Sequence, residues 1–156
     1  MSLRIDLDTL SPALGRLARA AGDKRPLLEA MGLALAESAR RAFHEPALRP
    51  APWPGRATLI KSGALWQSLR VGSVTEASAI VGTDRLYARY HQYGVGPIRP
   101  KSKKALFWKG LRHPVGGTKG IPARPFFPFD ADGRVTPAAA ERVRAAAQAW
   151  LTKALG

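Results

Sequence analysis

YARYHQYGV, residues 87–95, sets three tyrosines and one histidine ahead of a glycine, and its reading decides the fold around it. Taken as helix, Tyr87, Tyr90 and His91 recur at three- and four-residue spacing with Leu86 beside them, Asp84 is placed to cap the first turn, and Gly94 to stop the last. A helix this short is architecture. Its tyrosines are expected to pack as core against a neighbouring strand pair, because aromatic residues at helical spacing usually pack, while His91 and Gln92 tie the following turn by hydrogen bonds. Taken as a catalytic site, the same stretch offers a single imidazole in a carboxylate-free region, since no acidic residue lies between Asp84 and Asp130. General acid–base chemistry needs two titratable groups within hydrogen-bond reach of a substrate, and Asp84 is the acid nearest in sequence.

Upstream of this stretch, Leu69 to Val74 and Ala77 to Val81 are rich in Val and Ile and read as two strands joined around Thr75 and Glu76. Ser62 and Gly63 open a short helical turn that sets Leu65 and Leu69 on one side. Residues 45–56 hold four prolines and a glycine, which excludes a helix or an interior strand and leaves a loop anchored by Trp53. Arg25 to Phe43 reads as a long helix with Leu28, Met31, Gly32, Leu35 and Ala39 on its apolar face. Before it, Leu3, Ile5 and Leu7 alternate as a strand would, and Leu10, Leu14, Leu17 and Ala21 follow at helical spacing from Ser11 and Pro12 to Gly22. The two N-terminal helices are expected to form a hairpin over the core.

Downstream of Gly94 the periodicity stops. Residues 95–119 are dominated by glycine, proline and lysine, and an unstructured connection of that length is usually functional, so a flexible, projecting basic loop is expected there. IPARPFFPF, residues 121–129, alternates proline with aromatic residues and suits an extended edge segment. Thr136 and Pro137 form a cap and first-turn pair for a C-terminal helix carrying Val143, Ala147, Trp150, Leu151 and Ala154 on one face. The expected fold class is α+β: an N-terminal helical pair, a small antiparallel sheet with a hairpin, a short central helix, a long basic loop and a C-terminal helix, in one domain spanning residues 1–156.

Composition narrows the function. The 156 residues contain no cysteine, which removes disulfides, thiolate metal sites and cysteine nucleophiles. No apolar run is long enough to span a membrane, and the first ten residues carry acids where a secretory signal needs an apolar stretch, so the cytosol is the expected place of synthesis and use. His44, His91 and His113 stand in no metal-ligand spacing. No Gly-Lys-Ser/Thr signature and no Gly-x-Ser-x-Gly occurs. The expectation is therefore a protein without catalytic residues, metal or cofactor. An unrecognised hydrolase built on His91 stays as a minor reading.

Charge points to partners. Lys+Arg number 25 against 11 for Asp+Glu, a formal net charge of +14, and the carboxylate-free stretch concentrates it. Arg99, Lys101, Lys103, Lys104, Lys109, Arg112 and Lys119 lie in the loop with Phe107 and Trp108 among them. Cations that meet phosphates beside aromatic rings that stack on bases are what a single-strand binder uses, so nucleic-acid binding through residues 95–119 is one reading. A loop that docks on a protein surface is the other.

Read in order, KSGALWQSLRV, AIVGTD, LYARYHQYGV, IPARPFFPF and an amphipathic C-terminal helix resemble the virion morphogenesis or tail completion family of tailed phages, typified by Mu-like phages and their prophages. The most specific pieces are Tyr87-Ala88, His91-Gln92-Tyr93-Gly94 and Ala123-Arg124-Pro125-Phe126. The resemblance implies a non-enzymatic assembly protein of the virion, acting at the head–tail junction as a neck, tail completion or tail terminator component. It implies a homo-oligomeric ring, partners among connector and tail tube proteins, possible contact with DNA in the channel, no membrane, and host cytoplasm as the place of assembly. Within it, Tyr87, Tyr90, His91, Gln92, Gly94, Arg124, Pro125 and Phe126 form a structural motif in which Arg124 bonds back to the turn after His91. The long basic segment is where this sequence departs from the family's common appearance.

Overall fold

A computed structural model describes residues 2–6, 22–55, 58–101, 105–107, 109, 112–130 and 132–155. Helix α1 (Arg25–Arg41) forms where the apolar periodicity places it, with Pro26 in its first turn and Leu27, Leu28, Met31, Leu35 and Ala39 fully buried. Asp23 holds its start, accepting hydrogen bonds from the Arg25 backbone and guanidinium. The helix ends two residues before the expected Phe43, which still reaches the core from the turn that follows. Arg41 and Glu45 pair across that turn at 2.6 and 2.7 Å. The proline-rich loop contains one 3-10 turn (Pro46–Leu48) and returns Trp53 to the core, as expected.

Helix α2 (Ala64–Gln67) buries Leu65, and Leu69 follows it into the core. Strands β2 (Arg70–Val74) and β3 (Ser78–Gly82) are the hairpin, and β1 (Ser2–Asp6) adds to the far side of β3, giving an antiparallel sheet in the order β1-β3-β2. Ser2 faces Gly82 and Asp6 faces Ser78 across one ladder; Arg70 faces Gly82 across the other, with a bulge between Val71 and Val74. The Thr75 hydroxyl organises the turn, accepting from the Ala77 and Ser78 backbone. Ala79 and Val81 on the central strand are fully buried beneath α1. Close approach depends on Gly32, where a Cβ would stand 3.2 Å from a Val71 methyl.

Helix α3 (Ala88–Tyr93) is the short central helix, and helix α4 (Pro137–Leu155) closes the fold by packing against α1. Its buried positions Ala139, Val143, Ala147 and Leu151 recur every four residues, with Trp150 half-buried beside them. The helix expected between Leu10 and Gly22 lies outside the described residues; among these residues, the helix that packs on α1 is α4. The α+β class therefore holds, with α1 sharing contacts with both sheet and α4.

Two local expectations are corrected. Thr136 does not cap α4 through its side chain: its carbonyl accepts the Ala140 amide at 2.9 Å, while its hydroxyl is buried with no partner among the described residues. Residues 121–129 are not a sheet edge. Among the described residues only Ile121 and Phe129 of this segment make bridges, to Val95 and Val135, and between them Phe126 and Phe127 enter the core fully buried. Proline had removed the ladder donors as expected, but two adjacent phenylalanines bury more apolar surface inside than an edge position offers.

Candidate functional site

The site grows from the contact between α3 and residues 121–127. On α3 the buried positions are Ala88 and Gln92, not the tyrosines: Tyr87 and Tyr90 are each 39% exposed and Tyr93 is 66% exposed. The expected packing of the tyrosines as core is thus reversed. A six-residue helix has room for one narrow buried face, and here the small Ala88 and the carboxamide of Gln92 occupy it. Asp84 does not cap α3, whose N-cap is Tyr87 without a side-chain bond. It pairs instead with Arg70 and Arg85 at 3.4 and 3.5 Å.

Gln92 is the hub. Its Oε1 accepts the backbone amides of both Phe126 and Phe127 at 3.0 Å, in buried surroundings. Extended backbone entering a core brings amides that need acceptors, and a side chain supplies one oxygen with two lone pairs where no strand is available. Trp53 completes the clasp by donating its Nε1–H to the Pro125 carbonyl at 2.7 Å. Phe43 lies between Trp53 and Phe126, at ring separations of 5.8 and 5.1 Å, and the Arg49 guanidinium covers Trp53 at 3.9 Å. Gly94 ends α3 with φ 74° and ψ 172°, a conformation essentially reserved for glycine. A Cβ there would stand 2.8 Å from the Ala123 amide nitrogen.

Arg124 does return to the turn, but through its backbone, which donates to the His91 carbonyl at 2.6 Å. Its Nε and the Nδ1 of His91 are both buried and have no partner among the described residues. Both residues line a recess of about 350 Å³ together with Lys61, Ser62 and Tyr87, and with Leu65 of α2. Burial, reinforced by the positive charge of Arg124, holds the His91 imidazole below its ordinary pKa. The Tyr87 ring stands edge-on to it at 6.0 Å. The participation of residues 58–62 was not legible in the sequence, because no periodicity links that loop to α3.

Beyond Gly94 the basic segment is not the structureless connection expected. Val95 and Ile121 exchange backbone hydrogen bonds at 2.8 Å, Thr118 donates to Ile98 at 2.9 Å, and Leu106 exchanges bonds with Val115 at 2.7 and 3.0 Å. At these three places the described residues of the segment, hereafter the arm, pair antiparallel. Arg99, Lys101, Lys109, Arg112 and Lys119 are all exposed on it, and no ion pair forms to any of them among the described residues. Lys103, Lys104 and Trp108 lie outside the described residues. Phe107 is 68% exposed, and among the described residues all the exposed large apolar side chains other than Leu33 fall from Leu86 to Ile121. Among the described residues no three His, Asp or Glu side chains converge as a metal site would need, and no helix is long and apolar enough to cross a membrane.

The sequence model of the phage virion morphogenesis family matches residues 5–152, which takes in the clasp, the arm and most of α4. No curated protein and no solved structure matches at a significant level.

Proposed function

The chain belongs to the phage virion morphogenesis family, and from that premise we propose that it is a non-enzymatic assembly protein of the head–tail junction, working by oligomerisation and by docking to connector and tail proteins. Family membership supports a structural and assembly role in the virion. The observation that carries the finer reading is the stretch from residue 86 to 121: exposed Tyr93, Ile98 and Phe107 share it with exposed cations that form no ion pair among the described residues. Exposed aromatic side chains with arginine nearby are the usual composition of an interface centre. The clasp at Gln92 and the Val95–Ile121 bonds tie both ends of the arm to the core.

In this reading copies of the chain form a ring at the neck, tail completion or terminator layer, as a single domain with the arm at residues 95–119 as its docking part. The excess positive charge faces acidic connector or tube surfaces, and DNA within the channel where the arm reaches it. The exposed cations around Phe107 also support a second reading, nucleic-acid binding as the main activity. Electron microscopy of lysates from a phage or induced prophage with this gene alone disrupted tests the proposal. Filled heads and finished tails lying unjoined, or tails of defective length, are expected. Normal infectious particles would overturn it, and binding of single-stranded DNA that collapses between low and moderate salt would then favour the second reading.

A further inference from the structure

We infer that the recess between the loop at residues 58–62 and helix α3, walled by Arg124, His91 and Lys61, is a receptor for a carboxylate side chain, a glutamate or aspartate presented by a partner protein. The inference stands apart from the head–tail reading, because it concerns the chemistry of the recess and not the layer of the virion in which a partner sits.

The lining carries the argument. Lys61, Tyr87, His91 and Arg124 are its titratable groups, and no acidic residue is among those lining it. Arg124 Nε is a donor that cannot deprotonate or act as an acceptor, yet it is buried with no acceptor among the described residues; His91 Nδ1 is in the same condition. Native folds satisfy nearly all such groups, so orphaned ones call for an explanation. A carboxylate in the recess supplies the counter-charge that the Arg124 guanidinium lacks among the described residues, and favours protonation of the His91 imidazole. Ser62, whose oxygen accepts the Ala64 amide at 3.4 Å, keeps its own hydrogen to donate.

The shape selects among oxyanions. Leu59 and Leu65 give the recess apolar walls, and its volume of about 350 Å³ leaves ample room for a carboxylate side chain. A glutamate can rest its methylenes on those walls and present a planar carboxylate to a planar guanidinium, the geometry of bidentate pairing. A nucleic-acid phosphate lies along a hydrated convex backbone and is met by exposed cations on open surfaces; the arm supplies several such cations, whereas in the recess one exposed lysine, Lys61, stands beside the half-buried Arg124.

The test is NMR of the full chain, following the Arg124 Nε–Hε resonance and the His91 ring titration with N-acetylglutamate amide as probe. N-acetylglutamine amide is the neutral isostere and inorganic phosphate the competing anion. Saturable shifts at Arg124 and an upward move of the His91 midpoint are expected with the glutamate probe alone, with affinity reduced about tenfold or more in Arg124→Gln. Should that variant fail to fold, Lys61→Glu keeps the question open to test, since Lys61 is exposed and its reversal places an acid at the recess; it is expected to abolish the response. Absence of saturable shifts, an equal response to the glutamine probe, tighter binding of phosphate, or a response unchanged in Lys61→Glu would each overturn the inference.

Discussion

Replacing Gln92 by leucine keeps the volume of a buried side chain and removes the oxygen on which two core amides depend. The Phe126 and Phe127 N–H groups, each bonded to Oε1 at 3.0 Å, are left without their acceptor in a region where Gln92 is only 4% exposed. Each unsatisfied buried donor costs about 1–3 kcal/mol, so the loss is about 2–6 kcal/mol, with the lower half favoured if leucine gains some apolar contact. At the centre of that range, a domain of this length melts roughly 8–16 °C lower. Urea unfolding followed by tryptophan fluorescence is the assay, because Trp53 lies in the same clasp and reports its opening. Gln92→Glu, which retains an oxygen at the same place, is expected to lose less at neutral pH. A loss under about 1 kcal/mol for Gln92→Leu with an unchanged urea slope would refute the view that this side chain is the acceptor holding the Phe126–Phe127 backbone.

Gly94→Ala is expected to destabilise by about 1–3 kcal/mol in thermal melts, because its positive φ and the Ala123 amide nitrogen 2.8 Å from a Cβ leave no relaxed solution. Gly96→Ala, where a Cβ meets nothing within 4 Å, is the control and should melt close to the parent. Trp53→Phe preserves a ring against Phe43 but leaves the Pro125 carbonyl without its donor, and a loss of about 1–2 kcal/mol is expected in denaturant unfolding. The pH profile of stability tests His91. Its folded pKa is depressed below the ordinary 6.5 by burial and then by Arg124, so its contribution is present above pH 6.5 and lost as pH falls through the folded value. The parent should lose stability on acidification across that window more steeply than His91→Gln, and identical profiles would contradict it.

The elements that follow a period were legible in the sequence. Helix α1 declared itself through Leu28, Met31, Leu35 and Ala39, α4 through Val143, Ala147 and Leu151, and the β2–β3 hairpin through its Val and Ile content. The site was legible as two motifs but not as their contact. Helical spacing favoured Tyr87 and Tyr90 as core because it registers hydrophobicity, whereas the buried face of α3 is chosen by the amides of Phe126 and Phe127, which need Gln92. That requirement comes from residues more than thirty positions away in sequence. The arm was hidden for the opposite reason. Its pairing at Val95–Ile121 and Leu106–Val115 is carried by backbone groups, and glycine, proline and lysine leave no alternation to read. Thr136 shows a further limit, since a residue with the right identity and position for a cap turned its hydroxyl to other surroundings.

The place of α1, in contact with both the sheet and α4, also governs when the fold can be completed. As the chain is synthesised, α1 emerges early, and the hairpin that covers part of it follows. Its contact surface for α4 waits for the sheet, the clasp and the whole arm to be made before Pro137–Leu155 arrives. During that interval apolar side chains meant for α4 are open to water and to other chains. Closure through so distant a contact is entropically slow. Each newly made molecule therefore passes through a period of stickiness before it is finished, and a net charge of +14, by setting identical nascent chains against one another, is suited to carry it safely through.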